Sequence, residues 1–290
     1  MHRRYKNGSK FNLLWVIEMV GIEKSIPKRD MKKADIEYRE KIARDGAFIQ
    51  KVRDALTPLT KDVTVIENGQ VKEVQVTRLG LGPIDTPFGK FYEFEFEVGD
   101  RWKEYNVLVK AGLDDKFNPQ FEDGKILVRM DSACKTGQLF HDKTCDCKLQ
   151  LLKAMHEIEK NGSGMIVHMP KQDGRGMGLS FKLGTLMLQD ELGYNTVEAA
   201  AALKSMEFIE PEALDPRTYG GVIAILRFFG IDSGFDINVA TNNPKKIQAF
   251  QENGYDVGRT PVIIPPNEYT KRHLDAKEET FHHDLRRDND

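Results

Sequence analysis

The three cysteines of this 290-residue chain, Cys134, Cys145 and Cys147, fall within 14 consecutive residues. No other cysteine is present to pair with them, so a disulfide framework does not explain the cluster. Three thiolates at this spacing supply three soft ligands, which suits a zinc ion whose fourth position stays open to water. Two alternatives remain open: a closed structural zinc site with His141 or another histidine as fourth ligand, and a Cys134 that is simply buried.

A glycine-rich segment at residues 171–178 is the second candidate for chemistry. It lies between a predicted strand and a predicted helix, where glycines let the backbone approach an anion and the helix N-terminus offers N–H groups. Asp173 and Arg175 add charges that suit phosphate or purine-edge contacts. The segment matches neither a Walker A loop nor a dinucleotide-binding fingerprint, and a plain tight turn is the alternative.

Two further polar segments each precede a predicted helix. Asp215 and Pro216 are explained by N-capping of a helix at 217–229, with proline at its first position. In the segment 241–246, Asn243 is a second predicted cap. The functional alternative for this segment is a phosphate cradle in which Lys246 acts as a point charge.

The composition is that of a globular protein with no bias toward a polyanionic partner. The formal net charge is −2, with 40% hydrophobic and 30% charged residues, so nothing indicates binding to nucleic acid or to a membrane surface. No apolar stretch approaches the roughly 20 residues of a membrane span, and residues 1–21 lack a signal-peptide cleavage site. Metal-binding thiolates are consistent with a reducing compartment, so we expect a cytoplasmic protein.

The N-terminal third predicts a helix followed by antiparallel strands. Apolar residues at 36, 42, 48, 49, 52 and 56 are spaced as one helical stripe that ends before Pro58. Asn68-Gly69 predicts a hairpin between strands at 63–66 and 71–76. Further on, phenylalanines alternate with glutamates over residues 93–98, which predicts a sheet with one solvated face.

From about residue 125, strands alternate with helices. The strands are predicted at 126–130, 164–169 and 235–240, and the helices at 149–160, 179–192, 217–229 and from Asn243-Pro244 onward. This alternation predicts an α/β (or α+β) core, a mixed sheet with flanking helices. The chain after residue 266 is polar, and residues 286–290 are predicted to be disordered.

In their order along the chain, these motifs resemble the GTP cyclohydrolase II family of riboflavin biosynthesis. The resemblance covers about residues 86–276. It is most specific at Cys145-Asp-Cys147 with Gln150 and at the segment 241–246. It implies a cyclohydrolase II-like catalytic domain at 81–276, preceded by an N-terminal helix and hairpin extension at 1–80 and followed by a polar tail at 277–290.

The resemblance also implies roles for particular residues. Zinc on Cys134, Cys145 and Cys147 would carry the water that attacks C8 of GTP, and Mg²⁺ would accompany the substrate triphosphate. Asp215 would be the acid/base residue. Arg217 would attack or grip the α-phosphorus, and we favour gripping because a guanidinium stays protonated and clamps phosphate well. Contacts to nucleotide are implied for Arg129, Met130, Asp131, Ser132, Gln150, Asp173, Gly174, Arg175, Thr196, Thr241 and Lys246.

The implied reaction opens the imidazole ring and releases formate and pyrophosphate, and the family implies a homodimer. Thiolate ligands donate charge to zinc and so blunt its effect on the pKa of bound water. A base near the metal would therefore be needed.

Several positions depart from the family pattern. Asp131 and Ala133 stand where the family has His and Glu, Thr144 replaces an Arg, and Asp173 replaces a Glu. Leu186 stands in place of a Tyr whose hydroxyl suits proton donation in a late step. Two alternatives follow: an enzyme that stops at a formamidopyrimidine, and one that uses another nucleotide. A third alternative is a non-catalytic zinc protein that binds nucleotide.

Overall fold

The computed structural model describes residues 40, 44–99, 104–206 and 217–282. The N-terminal part of the predicted helical stripe, the predicted disorder at 286–290 and the residues Asp215 and Pro216 lie outside the described residues.

Eight strands form one mixed sheet in the order β1-β2-β3-β4-β8-β7-β9-β10. Strands β1 to β4 form an antiparallel meander that joins β8 antiparallel, whereas β8, β7, β9 and β10 run parallel. The strands are β1 Leu59–Glu67, β2 Gln70–Thr86, β3 Gly89–Val98, β4 Glu104–Lys110, β7 Lys125–Ser132, β8 Gly164–Met169, β9 Asp236–Ala240 and β10 Val257–Thr260. A separate two-stranded sheet pairs β5 Gly112–Leu113 with β6 Pro119–Gln120. The predicted mixed sheet is confirmed.

The predicted hairpin and alternation are both found. Asn68 and Gly69 have φ angles of 52° and 72°, and two positive φ values are what a two-residue hairpin turn of type I′ requires. In β3, Phe94 and Phe96 are buried while Glu95 and Glu97 are exposed, so one face of the meander is apolar and the other solvated.

Helices cover both faces of the sheet. Those in the described residues are α1 Gly46–Leu56, α2 Cys147–Asn161, α3 Leu179–Leu192, α4 Thr196–Ser205, α5 Gly220–Phe228, α6 Pro244–Glu252 and α7 Lys271–Phe281. Successive residues of β7 point to opposite faces, since Val128 packs in the cluster that contains α5 whereas Leu127 packs in the cluster that contains α2. At β7 the sheet is therefore a middle layer between helices.

The predicted helix at 217–229 begins too early. The helix α5 starts at Gly220 with Tyr219 as its N-cap residue, so the interpretation of Asp215 and Pro216 as its cap is wrong. Glycine is needed at this start, because a Cβ on Gly221 would lie 2.1 Å from the Tyr105 hydroxyl oxygen. Packing against the meander, rather than the local Asp-Pro signal, sets where the helix begins.

Two other helical features differ from expectation. The apolar stripe of α1 is solvent-exposed, with Phe48 and Leu56 44% and 62% exposed. The polar stretch after residue 266 contains α7, whose Leu274 and Ala276 are buried.

Helix α4 begins with a capping box between Asn195 and Glu198, a signal readable in the sequence.

Side chains cover part of the outer edge of β1. The Asn253 side chain donates to the Ile66 carbonyl and accepts from the Ile66 N–H, both at 2.8 Å. The Arg227 guanidinium donates to the Thr64 carbonyl. Backbone groups that an edge strand otherwise offers to a further strand are thus already bonded.

In the part of the chain that the structure describes, no helix is long and apolar enough to cross a membrane.

Candidate active site

A cleft lies where the parallel strands β7, β8 and β9 end. The carboxyl ends of parallel strands meet at one edge of a sheet, and the polar segments that follow them converge there. The cysteine loop follows β7, the glycine turn follows β8, and Thr241 follows β9. The predicted site residues that line the cleft are Arg129, Asp131, Ser132, Cys134, Cys145, Cys147, Gln150, Asp173, Gly174, Arg175, Thr196, Arg217, Thr241 and Lys246.

One predicted site residue in the described part of the chain does not line the cleft, and another lies outside that part. The Met130 side chain is fully buried in the apolar core, and its contribution to this region is its backbone carbonyl, which accepts a hydrogen bond from Lys246 at 2.6 Å. Asp215 lies outside the described residues, two positions before Arg217.

The three cysteine sulfurs are arranged for one shared ion. They lie within 4.8 Å of one another, and the Sγ atoms of Cys134 and Cys145 are 3.5 Å apart. Tetrahedral zinc with Zn–S bonds of about 2.3 Å separates its sulfurs by about 3.8 Å, so the spacing fits that metal. Gly137 lets the loop wrap this closely, because a Cβ there would lie 2.6 Å from the Cys145 sulfur.

His141 does not join the sulfurs. Over residues 44–99, 104–206 and 217–282, the only group of three or more potential metal-binding side chains consists of the three cysteines. The His141 ring instead contacts the amine of Lys148 at 2.6 Å, and the histidine is exposed. The arrangement fits three protein ligands and a further position for water or substrate.

The sulfurs also influence each other's protonation. Hydrogen bonds from Cys145 and Cys147 lower the pKa of Cys134. Hydrogen bonds with Cys134 and Cys145, together with burial, raise the pKa of Cys147 well above its usual value. Because a cation binds thiolates, metal binding at this cluster releases protons.

Lys182 is a site residue that the sequence did not reveal. It lines the cleft from α3, and its Nζ donates to the Cys134 sulfur at 2.8 Å. Burial alone would lower the pKa of Lys182, but the negative charge of the cysteine sulfurs outweighs it and raises that pKa. Residues 48 positions apart meet here, and no local pattern in the chain signals such a contact.

Asp131 is almost completely buried, with 1% exposure, and three protein side chains surround its carboxylate. Its Oδ2 accepts from His168 and Gln138, both at 2.8 Å, and its Oδ1 lies 3.6 Å from Arg129. Burial raises the pKa of Asp131, but the His168 hydrogen bond and the Arg129 charge outweigh burial and lower it. Gln138 also accepts from the Cys134 N–H at 3.1 Å, so the carboxylate braces the cysteine loop.

Gln150 and Arg129 hold each other in place. Arg129 donates to the Gln150 side-chain oxygen at 2.9 Å and to the Ala240 carbonyl at 3.1 Å. Gln150 donates in turn to Asp146, which precedes helix α2. These bonds link β7, β9 and α2 at the floor of the cleft.

Basic side chains form one wall of the cleft. Lys246 is 5% exposed and donates to the Ser132 hydroxyl at 3.3 Å, while burial and the charges of Arg129 and Arg217 lower its pKa well below the usual value. Arg175 donates to the Thr196 hydroxyl at 3.2 Å. Clustered guanidinium and ammonium groups suit a polyphosphate.

The glycine turn is built around Arg217. Gly174, Gly176 and Gly178 all have positive φ, at 60°, 89° and 96°, which favours glycine. A Cβ on Gly176 would lie 2.9 Å from Cγ of Arg217. The side chain of Asp173 accepts from the backbone N–H of Lys135 at 2.9 Å, which ties the turn to the cysteine loop.

The segment after β9 combines capping with the site. Asn243 accepts from the Lys245 N–H at 3.0 Å and caps α6, with Pro244 at its first position, so the predicted cap is confirmed. Thr241 is 1% exposed and accepts from the Asn243 N–H at 3.0 Å. Capping and placement of Lys246 in the cleft are therefore both functions of one segment.

Positions that depart from the family pattern also face the cleft. Ala133, Thr144 and Leu186 all line it. The departures therefore alter the surface that a ligand would meet.

Comparison with known proteins decides the family. A sequence model described as GTP cyclohydrolase II matches residues 81–261. The chain belongs to the GTP cyclohydrolase II family. The expected resemblance and fold class are thereby confirmed, and the members of this family are hydrolases that act on GTP in riboflavin biosynthesis.

Individual relatives of this cyclohydrolase II chain differ in how much of their length it spans. A GTP cyclohydrolase-2 of Streptomyces coelicolor is 33% identical over 228 residues, covering 78% of this chain and 95% of that protein. The riboflavin biosynthesis protein RibBA of Staphylococcus saprophyticus is 35% identical, covering 68% of this chain and 45% of that protein. RibBA of Porphyromonas gingivalis is 33% identical, covering 83% and 53%. The chain thus spans about half the length of these RibBA relatives.

Proposed function

We propose that this enzyme opens the imidazole ring of GTP by zinc-dependent hydrolysis at C8, with release of formate and pyrophosphate. The observation that carries the proposal is the meeting of three cysteine sulfurs with a wall of basic side chains in one cleft. The first group suits a metal ion, and the second suits a triphosphate.

Cys134, Cys145 and Cys147 are the residues that would hold the zinc ion. Zinc bound there would lower the pKa of a bound water molecule toward about 7 and so supply a nucleophile at neutral pH. Gln138 keeps the loop in place, because it donates to Asp131 and accepts from the Cys134 N–H.

The basic wall has a separate task. Arg175, Arg217 and Lys246 would bind the triphosphate, with Mg²⁺ sharing its charge. Arg217 lines the cleft beside the glycine turn, and its guanidinium would grip a phosphate rather than attack it, because it stays protonated. Asp215, two residues before Arg217, is proposed as the acid/base group.

The test is a reaction of the purified protein with Zn²⁺, Mg²⁺ and a panel of nucleoside triphosphates, with products read by mass. We expect GTP to be converted to a ring-opened pyrimidine. Asp215→Asn should retain nucleotide binding and lose turnover. Binding of GTP without any ring opening, in wild type and variant alike, would instead support a non-catalytic nucleotide-binding protein.

A second candidate product is the formamidopyrimidine, in which ring opening is not followed by loss of formate. Leu186 favours it, because this apolar side chain lines the cleft and has no hydroxyl to donate a proton. The test compares formate released with GTP consumed for the wild type and Leu186→Tyr. We expect less than one formate per GTP for the wild type and more for the variant, whereas prompt stoichiometric formate from the wild type would exclude this candidate.

The changed residues around Cys134 support a third possibility, the use of a different nucleotide. The same panel tests it, since a much faster turnover of GTP than of every other nucleotide would exclude it.

We also propose a homodimer, to be tested by sedimentation. The division into an extension at 1–80, a catalytic domain at 81–276 and a tail at 277–290 likewise stays a proposal. Strand β2 includes residue 80, and its register against β3 shifts between Arg78 and Gly80.

A further inference from the structure

The ammonium group of Lys182 lies against the cysteine cluster rather than free in the cleft. Its Nζ is 2.8 Å from the Cys134 sulfur, which is hydrogen-bonding distance for a charged donor. The three sulfurs lie within 4.8 Å of one another, so the ammonium charge acts on the whole cluster.

The surrounding structure fixes this contact. Lys182 occupies the first turn of α3, between the buried side chains of Phe181 and Thr185, which are 2% and 6% exposed. The Lys182 N–H donates to the Gly178 carbonyl at 3.2 Å, and the preceding glycine turn is tied to the cysteine loop through Asp173. The helix that carries the lysine is therefore held beside the loop that carries the sulfur.

The contact changes the net charge of the proposed metal centre. Three thiolates and one divalent cation sum to a single net negative charge, and such a centre acidifies water less than zinc on neutral ligands does. One ammonium group cancels that charge. Its hydrogen bond also draws electron density away from the Cys134 sulfur, so the thiolate donates less to the metal.

We propose that Lys182 is a positioning residue that balances the charge of the three-cysteine metal centre. The inference rests on the proposed metal centre and adds a residue to it. Lys182 does not contact the reacting atoms in this role; it acts through Cys134. Three thiolate ligands keep the pKa of a metal-bound water high. The positive charge of Lys182, which is not itself a ligand, would lower that pKa.

The first test reads the metal centre without catalysis. Wild type, Lys182→Met and Lys182→Arg are loaded with Co²⁺, and the sulfur-to-cobalt charge-transfer band is recorded. Loss of the N–H···S bond raises the energy of the sulfur electrons, so we expect the band to move to longer wavelength in Lys182→Met. Lys182→Arg keeps the charge and a donor, and we expect its band to return toward the wild-type position. Circular dichroism confirms that each variant is folded.

The second test is the pH profile of kcat/KM with GTP. The variant leaves in place the other charged groups of the cleft, which include Asp131, Asp142, Asp173, Arg175, Arg217 and Lys246. A unit charge within about 4–6 Å shifts a pKa by about one unit or more. We therefore expect the acidic limb of Lys182→Met to move upward by about one pH unit, with a larger effect on kcat than on KM.

The outcomes separate this inference from the proposed function. An unmoved charge-transfer band and pH profile, with an increase in KM alone, would show that Lys182 binds the triphosphate and would overturn the inference. A shifted band in a protein that does not turn over GTP would leave Lys182 assigned and refute the proposed function. Failure of the wild type to bind Co²⁺ or Zn²⁺ would refute both.

Discussion

The antiparallel and parallel halves of the sheet differ in what they contribute. The meander β1 to β4 supplies buried phenylalanines and valines to the core, yet none of the residues that line the cleft comes from it. The parallel strands β7, β8 and β9 each end in a polar segment that enters the cleft. The proposed active site therefore lies at the carboxyl edge of the parallel strands, and the meander contributes core packing.

Substitution of a proposed metal ligand should give the largest difference in activity between the two halves of the sheet. We expect Cys145→Ser to reduce kcat/KM by at least about 100-fold and to reduce the bound zinc measured by elemental analysis. The matched control is Glu95→Gln, an exposed position of the meander, which should leave both quantities unchanged. Full activity of Cys145→Ser would contradict the assignment of the cleft as a metal-dependent site.

A glycine pair tests whether the turn after β8 is shaped for Arg217. Gly176 and Gly178 both have positive φ, but only a Cβ on Gly176 would meet Arg217, at 2.9 Å from Cγ. We expect Gly176→Ala to reduce kcat/KM about tenfold or more, because small displacements at a reacting site have effects of that order. Gly178→Ala should lose stability from strain alone, by about 1 kcal/mol. Equal kinetic losses in the two variants would show that strain, not displacement of Arg217, is responsible.

Substitution of Asp131 measures how much the buried ion pairs beside the cleft contribute to the stability of the protein. Asp131→Asn leaves Arg129 and His168 without their anionic partner in a buried position, so we expect the free energy of unfolding at pH 7 to fall by about 3 kcal/mol. Burial alone would raise the pKa of Asp131, but the His168 hydrogen bond and the Arg129 charge outweigh burial and lower that pKa in the folded protein. Its contribution is thus fully present above the unfolded pKa of about 3.9 and is lost as pH falls through the native value.

Denaturant unfolding of wild type and variant at several pH values measures this contribution. The difference between the two proteins should shrink below about pH 4. A difference that is constant down to about pH 2 would show that the carboxylate charge is not its source.

The smallest effect is expected in the meander. Gly69 has a φ of 72°, and a Cβ added there would meet no atom within 4 Å, so Gly69→Ala introduces backbone strain only. We expect a loss of about 1 kcal/mol in unfolding free energy and an unchanged kcat/KM. Gly82, also in open space but without a positive φ, is the matched control and should tolerate alanine. A kinetic defect in Gly69→Ala would break the distinction between the two halves.

Local signals in the sequence identified the elements whose boundaries are set locally. The strand at 164–169 and the helix at 179–192 were predicted with the bounds that the structure shows. Gly164 begins the strand, and Gly178 and Gly193 flank the helix. The start of α5 was not predicted correctly, because contacts of Gly220 and Gly221 with Glu67 and Tyr105 set it. Those contacts join segments more than 100 residues apart, and no local pattern records them.

The site divides in the same way. The cysteine spacing indicated the candidate metal site, since all three potential ligands lie within 14 consecutive residues. Lys182 and His168 were missed, because each acts through a residue that is 48 or 37 positions away. Asp131 was expected to contact nucleotide, but both of its carboxylate oxygens have protein partners. The residue type alone does not reveal burial or the positions of partners.

The side chains of Asn253 and Arg227 along β1 have a consequence for behaviour at high concentration. Edge strands with unpaired backbone groups are the sites at which folded β proteins pair with other chains and aggregate into fibrils. Here an amide and a guanidinium already occupy the backbone groups at Thr64 and Ile66. An incoming strand would have to displace both side chains before it could dock, so this margin resists self-association.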